Sequence, residues 1–90
     1  INMVPTSTGA ASAIGLVYPA LAGKLDGLAI RVPTANGSLT DLTVEVEKDT
    51  TAEQVNEALR AAANGALNGI LVIADDHTVS TDIIGNPGSS

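Results

Sequence analysis

The sequence predicts an α+β fold in which an antiparallel-rich sheet carries two helices on one face, in the order helix, strand, strand, helix, strand. Apolar residues recur at helical spacing in two stretches, residues 8–21 and 50–64. They alternate with polar residues at 27–33 and 39–47, as in strands that bury one face. They also form a continuous run at 69–74, which suits a central strand or a strand buried in a subunit contact.

The first helix has recognisable signals at both ends. Thr8 or Ser7 can act as its N-cap, because a hydroxyl oxygen accepts hydrogen bonds from first-turn amides. Pro19 should end or kink the helix, and Gly23 should stop it. The expected apolar face consists of Ala13, Leu16, Val17 and Leu21.

The next two elements should form a hairpin. In residues 27–33 the alternation places Leu28, Ile30 and Val32 on one face, and Ala29 and Arg31 on the other. The pair Asn36-Gly37 is a strong turn signal, because both residues tolerate positive φ. The strand at 39–47 would then lie antiparallel to the first, with Leu42, Val44 and Val46 facing the core.

The second helix opens with Thr50 and Glu53 at the spacing of a capping box. Gly65 is its expected C-terminal cap. After the strand at 69–74, Ile83 and Ile84 could add a short extended piece. The expected apolar stripe of the helix is Val55, Ala58, Leu59 and Ala62.

Composition narrows the function classes. Residues 1–90 are enough for one small domain. The net charge of −6 and four scattered basic residues disfavour binding to nucleic acid or to anionic membranes. The chain has no cysteine, which excludes disulfides, thiolate metal sites and a cysteine nucleophile within it. It shows neither a membrane-span pattern nor a signal-peptide pattern, so we expect a cytoplasmic protein.

The stretch VPTSTGAASA, residues 4–13, is the first candidate site. Thr8 and Gly9 precede a predicted helix, whose N-terminus offers free amides and a partial positive charge to an anion. The alternative is that these residues only cap the helix. Arg31 is the second candidate, because a guanidinium matches phosphate oxygens. Its alternative is a cross-strand ion pair with Glu45 or Glu47.

An acidic loop raises the question of a metal site. His77 follows Asp75 and Asp76, and Asp82 comes soon after. No helical or strand spacing holds these side chains together, so a solvated loop is the favoured interpretation. We therefore predict no metal site, and we find no acid–base pair among the carboxylates.

Five collinear stretches resemble the central part of the catalytic domain of glyceraldehyde-3-phosphate dehydrogenase. They are NMVPTSTGAA (2–11), GKLDGLAIRVP (23–33), DLTVEVEKDTTAEQVNEALRAAA (41–63), NGIL (68–71) and VSTDIIGNP (79–87). The resemblance implies an NAD-dependent enzyme that oxidises a phosphorylated aldehyde through a cysteine thiohemiacetal. It also implies that Thr8 and Gly9 bind the attacking inorganic phosphate, that Arg31 holds the substrate's phosphate, and that the sheet could form a homodimer.

The chain also departs from the family. The resemblance implies that the nucleophilic cysteine, its histidine partner and the nucleotide-binding domain precede residue 1, and that the nicotinamide-positioning asparagine follows residue 90. We therefore expect residues 1–90 to bind no cofactor and to be inactive alone. Locally, Ser12 stands where the family commonly has lysine, and TANGS (34–38) replaces a loop that is often Pro-Asn-Val-Ser. An engineered or truncated stand-alone folding module without a ligand stays open as the alternative.

Overall fold

A two-stranded antiparallel sheet lies near the start of the chain in the computed structural model, which describes residues 1–90. Strand β1 (Val4–Ser7) pairs with β2 (Leu28–Arg31), so that Val4 lies opposite Arg31 and Ser7 lies opposite Leu28. Alternation along β2 places Leu28 and Ile30 on one face, and Ala29 and Arg31 on the other, as predicted. The sequence reasoning missed β1, because four residues that include a proline carry little strand signal.

Helix α1 (Ala10–Val17) is shorter than the predicted helix over 8–21. Pro19 ends it as expected, and the chain continues as a single 3-10 turn, Pro19–Leu21. Gly23 then adopts φ +73°, a conformation that L side chains rarely take. Thr8 precedes the helix, and Gly9 occupies the N-cap position. The helical stretch therefore begins two residues later than the pattern predicts.

Helix α2 (Ala52–Asn64) forms with a capping box one residue later than predicted. The amide of Gln54 donates to Thr51 Oγ1 at 3.2 Å, and the amide of Thr51 donates to Gln54 Oε1 at 3.1 Å. The prediction of Thr50 and Glu53 as the box is wrong, because the equally spaced pair Thr51 and Gln54 forms the reciprocal bonds. Gly65 is the C-cap, as predicted, and its amide donates to the Ala62 carbonyl.

The predicted strand at 39–47 is wrong as an element of this structure. No main-chain hydrogen bond involves residues 37–49, so the stretch has no ladder partner and the hairpin at Asn36-Gly37 does not close. Gly37 does adopt φ +88°, as a turn glycine would. Alternation indicates which side chains share a face, but a strand also requires a neighbouring chain to bond with.

The predicted strand at 69–74 does not form either, although its centre is hydrogen-bonded to residues 89–90. The Ile70 carbonyl accepts from the amides of Ser89 and Ser90, and the Val72 amide donates to the Ser90 carbonyl at 2.7 Å. This is the bonding of a parallel pair one residue long.

A short helix, α3 (Ser80–Ile83), replaces the extended piece that was expected at Ile83 and Ile84. The Asp82 carboxylate accepts from the Val79 amide at 2.8 Å and so satisfies one donor ahead of the first turn. The small α+β class is confirmed, but the observed order is strand, helix, strand, helix, helix.

The chain divides into two units, residues 1–35 and residues 36–90. In the first, β1 contacts β2, and α1 contacts the 3-10 turn. In the second, residues 45–48 border an open groove beside Val55 and Leu59 of α2. A single domain over 1–90 stays a prediction.

Exposed apolar side chains are the dominant feature of the packing. No residue is buried, and the accessible surface is 8142 Å². A compact protein of this mass exposes about 4,900 Å². The apolar stripes that the sequence predicts are present but uncovered, as shown by Leu28 at 70% exposed and Leu42 at 68%.

Thr51→Ala tests the position of the cap. The change removes the acceptor for the Gln54 amide and should destabilise α2 by about 1 kcal/mol. We expect lower helicity by circular dichroism and faster hydrogen exchange at the Gln54 amide. Thr50→Ala is the matched control, because it leaves both bonds of the box in place. If Thr50→Ala increased hydrogen exchange at the Gln54 amide as much as Thr51→Ala does, the capping residue would be Thr50 and not Thr51.

The exposed surface predicts a shallow unfolding transition for residues 1–90. An unfolded chain of this mass exposes about 13,000 Å², so the denaturant m-value should be about three-fifths of that of a compact protein of equal length. Urea titration followed by circular dichroism measures it, with the mass in solution recorded alongside. A full-sized m-value for a monomer would contradict the uncovered surface.

Candidate anion-binding site

Thr8 lies between β1 and α1, and its side chain is half-buried. Its Oγ1 accepts a hydrogen bond from the Ala10 amide at 3.2 Å. Strand β1 ends one residue before Thr8, and α1 begins two residues after it. The Thr8 hydroxyl therefore accepts a hydrogen bond from one of the amides that have no main-chain acceptor in the first turn of a helix. The prediction of Thr8 or Ser7 as the N-cap is wrong, because Gly9 occupies that position and Ser7 lies within β1. Thr8 precedes the cap, and its hydroxyl still accepts from a first-turn amide.

Two further donors lie at the same helix end. The amides of Ala11 and Ser12 have no main-chain acceptor, because residues in a first turn cannot bond within their own helix. The Ser12 hydroxyl donates to the Gly9 carbonyl at 2.9 Å. The sequence reasoning did not name these amides, although the position of any helix start would have identified them.

Gly9 is not required by the backbone at this point. Its φ of −81° and ψ of −4° are open to other residues. A Cβ built there would meet nothing within 4 Å. The missing side chain therefore leaves open space beside the first turn of α1, where a ligand could approach the main chain.

Arg31 is the last residue of β2 and lies exposed on the face that it shares with Ala29. The expected cross-strand pair with Glu45 or Glu47 is wrong, because the partner of β2 is β1 and no hairpin with 39–47 forms. The one ion pair of the structure instead joins Arg60 to Asp75, both exposed.

The strand register separates the two candidate positions. Arg31 is opposite Val4, whereas Thr8 follows Ser7 at the other end of β1. Four residues of extended chain span about 14 Å, so the main chain at Thr8 and the main chain at Arg31 are that far apart along the sheet. The arrangement has two separate groups of donors rather than one.

Two carboxylates of the acidic loop have partners. Asp75 pairs with Arg60, and Asp82 accepts from the Val79 amide. No three His, Asp or Glu side chains come together in a way that could hold a metal ion. The structure contains no helix with the length and apolar character of a membrane span.

Comparison with known proteins gives a consistent result along the chain. Residues 1–90 match the family model described as glyceraldehyde 3-phosphate dehydrogenase, C-terminal domain. Glyceraldehyde-3-phosphate dehydrogenase of Mycolicibacterium smegmatis is 58% identical over 90 residues, which are 100% of this chain and 26% of that protein. The Cryphonectria parasitica enzyme is 54% identical over 89 residues, 99% of this chain and 26% of the relative.

A chloroplastic relative, glyceraldehyde-3-phosphate dehydrogenase A of Scenedesmus vacuolatus, is 56% identical over 82 residues, 91% of this chain and 26% of the relative. The chain thus spans about a quarter of the length of the curated relatives that it matches. The match covers both candidate positions, the start of α1 and the end of β2. The chain belongs to the glyceraldehyde-3-phosphate dehydrogenase family, within its C-terminal, catalytic domain.

Proposed function

We propose that residues 1–90 supply phosphate-binding residues to an NAD-dependent phosphorylating glyceraldehyde-3-phosphate dehydrogenase, an oxidoreductase of glycolysis. In this proposal Thr8 and Gly9 bind the inorganic phosphate that attacks the thioester, and Arg31 holds the phosphate of the aldehyde substrate. The observation that carries the proposal is the family match over residues 1–90, which includes both the TSTGAA and the IRVP stretches.

The start of α1 supports the first half of this assignment. Free amides at Ala11 and Ser12, the partial positive charge of the helix end and the Thr8 hydroxyl together offer several donors to one anion. The open space at Gly9 leaves that side of the turn accessible. These groups would bind and orient phosphate, with no covalent step of their own.

The end of β2 supports the second half. Arg31 is exposed, and the ion pair of the structure uses Arg60 instead. A guanidinium can donate two parallel hydrogen bonds to a phosphate group, which fixes orientation as well as charge. The distance of about 14 Å from Thr8 along the sheet suits two phosphate groups bound apart.

Bond making and breaking would fall to residues outside 1–90. The chain holds no thiol, and the family chemistry needs a thiolate to form the thiohemiacetal from which hydride passes to NAD. We propose that residues 1–90 contribute binding and orientation, bind no cofactor alone, and act in the cytoplasm.

A stand-alone module without a ligand is the second candidate function. One observation favours it: the Thr8 oxygen already accepts from the Ala10 amide, so the hydroxyl has a structural use without any anion. The two candidates predict different responses to phosphate, and the variants below separate them.

Phosphate titration of the isotope-labelled chain tests the assignment. We expect chemical-shift changes at the Ala11 and Ser12 amides and at the Arg31 side chain, with chloride at equal ionic strength as the reference. Arg31→Gln should weaken the response at the β2 end about tenfold, because it removes a charge-assisted bond. Arg60→Gln is the matched control, since it makes the same change in net charge.

Gly9→Ala gives the reciprocal test within the same titration. The backbone at Gly9 accepts alanine, so α1 should form as before or be stabilised by about 0.4–1 kcal/mol. The methyl group should nevertheless reduce the response at Ala11 and Ser12 and leave that at Arg31 unchanged. Equal losses in Arg31→Gln and Arg60→Gln, or no effect of Gly9→Ala, would favour the module without a ligand.

An activity assay addresses the catalytic half of the proposal. The 90-residue chain, mixed with NAD, phosphorylated aldehyde and phosphate, should form no NADH above background, because it has no sulfur nucleophile. Absorbance of the reduced nicotinamide measures the reaction, and a complete enzyme of the family is the positive control. Turnover by the chain alone would refute the assignment of its chemistry to other residues.

A further inference from the structure

Residues 39–46 have the alternating pattern of a strand but no neighbouring chain to pair with. We propose that this stretch is a docking site for another protein, which adds an extended, basic segment alongside it as a new strand. In the segment that fits, lysine or arginine alternates with apolar residues. The stretch contains neither of the candidate phosphate positions, so docking here does not depend on the proposed function.

The main chain of the stretch is available along both of its edges. Residues 37–49 make no main-chain hydrogen bond, and residues 39–46 contain no helix, turn or bend. Their amides and carbonyls have no partner within the chain, so an added strand can bond to them without first breaking existing bonds. A bend at Glu47 and Lys48 marks the far end of the site.

Alternation gives the stretch two different faces. The apolar face consists of Leu42, Val44 and Val46, each of which is more than half exposed. The opposite face carries the carboxylates of Asp41 and Glu45. Side chains directly opposite each other in paired strands lie on the same face of the sheet. A partner with matching alternation would therefore cover the apolar face with apolar side chains and place its cations beside the carboxylates.

Charge favours a basic occupant. The one ion pair of the structure joins Arg60 to Asp75, so no cation of the chain pairs with a carboxylate of the stretch. Residues 36–90 carry nine carboxylates and two basic side chains, a net charge of −7. This unit should attract cationic segments and repel acidic ones. Opposite charges at facing positions of paired strands stabilise the pair, and like charges destabilise it.

A second copy of the stretch is a poor occupant for the same reason. Antiparallel pairing about Val44 would place Asp41 opposite Glu47 twice, and Thr43 opposite Glu45. Parallel pairing in register would place each carboxylate beside its own copy. A register shifted by one residue would instead place the acidic face of one strand beside the apolar face of the other. A basic partner avoids all of these mismatches.

Other unbonded segments of the chain suit a basic strand less well. Strands β1 and β2 each have a free outer edge, but both are four residues long and neither contains a carboxylate. Residues 73–78 also make no main-chain hydrogen bond. There Asp75 is paired with Arg60, and the adjacent Asp76 would fall on the opposite face of an extended chain. Residues 39–46 combine free main chain, alternation and unpaired carboxylates on one face.

Titration of the isotope-labelled 90-residue chain with synthetic peptides tests the site. One peptide alternates lysine with valine, and its matched control alternates glutamate with valine at the same length. We expect the lysine peptide to shift the amide signals of residues 39–46 and to slow their hydrogen exchange, with less effect at high salt. The glutamate peptide should leave them unchanged. Changes centred on residues 73–78, or on β1 and β2, would overturn the proposal.

A third peptide separates strand pairing from charge attraction. It is the lysine peptide with alternate main-chain nitrogens methylated, which keeps every charge but removes the donors along one edge. We expect the methylated peptide to lose most of its effect on the amides of residues 39–46, because strand addition depends on main-chain hydrogen bonds. If it acted as strongly as the unmethylated peptide, charge alone would explain the binding and the site would not be a strand-docking site.

Charge variants test the acidic face. Glu45→Gln combined with Glu47→Gln should weaken binding of the lysine peptide about threefold to tenfold, because two facing carboxylates are lost. The matched control is Glu57→Gln combined with Asp76→Asn, which makes the same change in net charge outside the stretch. We expect the control to weaken binding by less than about twofold. Equal losses in the two variants would contradict recognition by this face.

Proline variants test the main chain of the stretch itself. Thr43→Pro combined with Val44→Pro removes one amide donor from each edge, since successive N–H groups of an extended chain point to opposite sides. Neither residue makes a main-chain hydrogen bond, so α2 should form as before, which circular dichroism measures. We expect this variant not to bind the lysine peptide. Retained binding with α2 intact would overturn the proposal, and the methylated peptide gives the same test on the unchanged chain.

Discussion

The structure depends on one constraint: its apolar faces have no partner within residues 1–90. The sequence arranges Leu28 and Ile30 along β2, and Leu42 and Val44 along the stretch at 39–47, in the alternation of half-buried strands. Each of these side chains is nevertheless exposed. Burial of apolar area is the main favourable term in folding, and here little of it is available. The elements that form are the helices and the one pair of strands whose main-chain groups bond to each other. The chain spans about a quarter of the length of its curated relatives.

The hydrogen bonds available within residues 1–90 explain which elements form. Helix α2 has the reciprocal bonds of Thr51 and Gln54 at one end and Gly65 at the other. Strands β1 and β2 bond to each other and need no further sheet. The stretch at 39–47 has an equally clear pattern, but its hydrogen bonds must come from another strand, and none lies beside it. Capping is decided within one turn of chain, whereas strand pairing is decided by whichever segment is adjacent.

The sequence could predict features that depend on neighbouring residues, but not those that depend on which distant segment lies alongside. The end of α1 near Pro19, the Gly65 cap and the two faces of β2 follow from residue types at fixed offsets, and the structure confirms them. The box at Thr51 was missed by one residue, because Thr50 and Thr51 offer the same hydroxyl at adjacent positions. The ion pair of Arg60 with Asp75 joins residues far apart in sequence, and no local pattern indicates such a contact. Of the candidate site, the helix start at Thr8 and Gly9 was readable, but its distance from Arg31 required the register of β1 and β2.

The candidate anion site therefore combines a local part and a part that depends on its surroundings. The donors at the start of α1 exist wherever that helix forms, because a first turn always leaves amides free. Strong binding also requires these donors and Arg31 to be held still, since ordering mobile groups on binding costs free energy. In residues 1–90 no packed core immobilises either group. Affinity for phosphate should thus increase when the uncovered apolar faces are buried, although none of the residues that cover them needs to contact the anion.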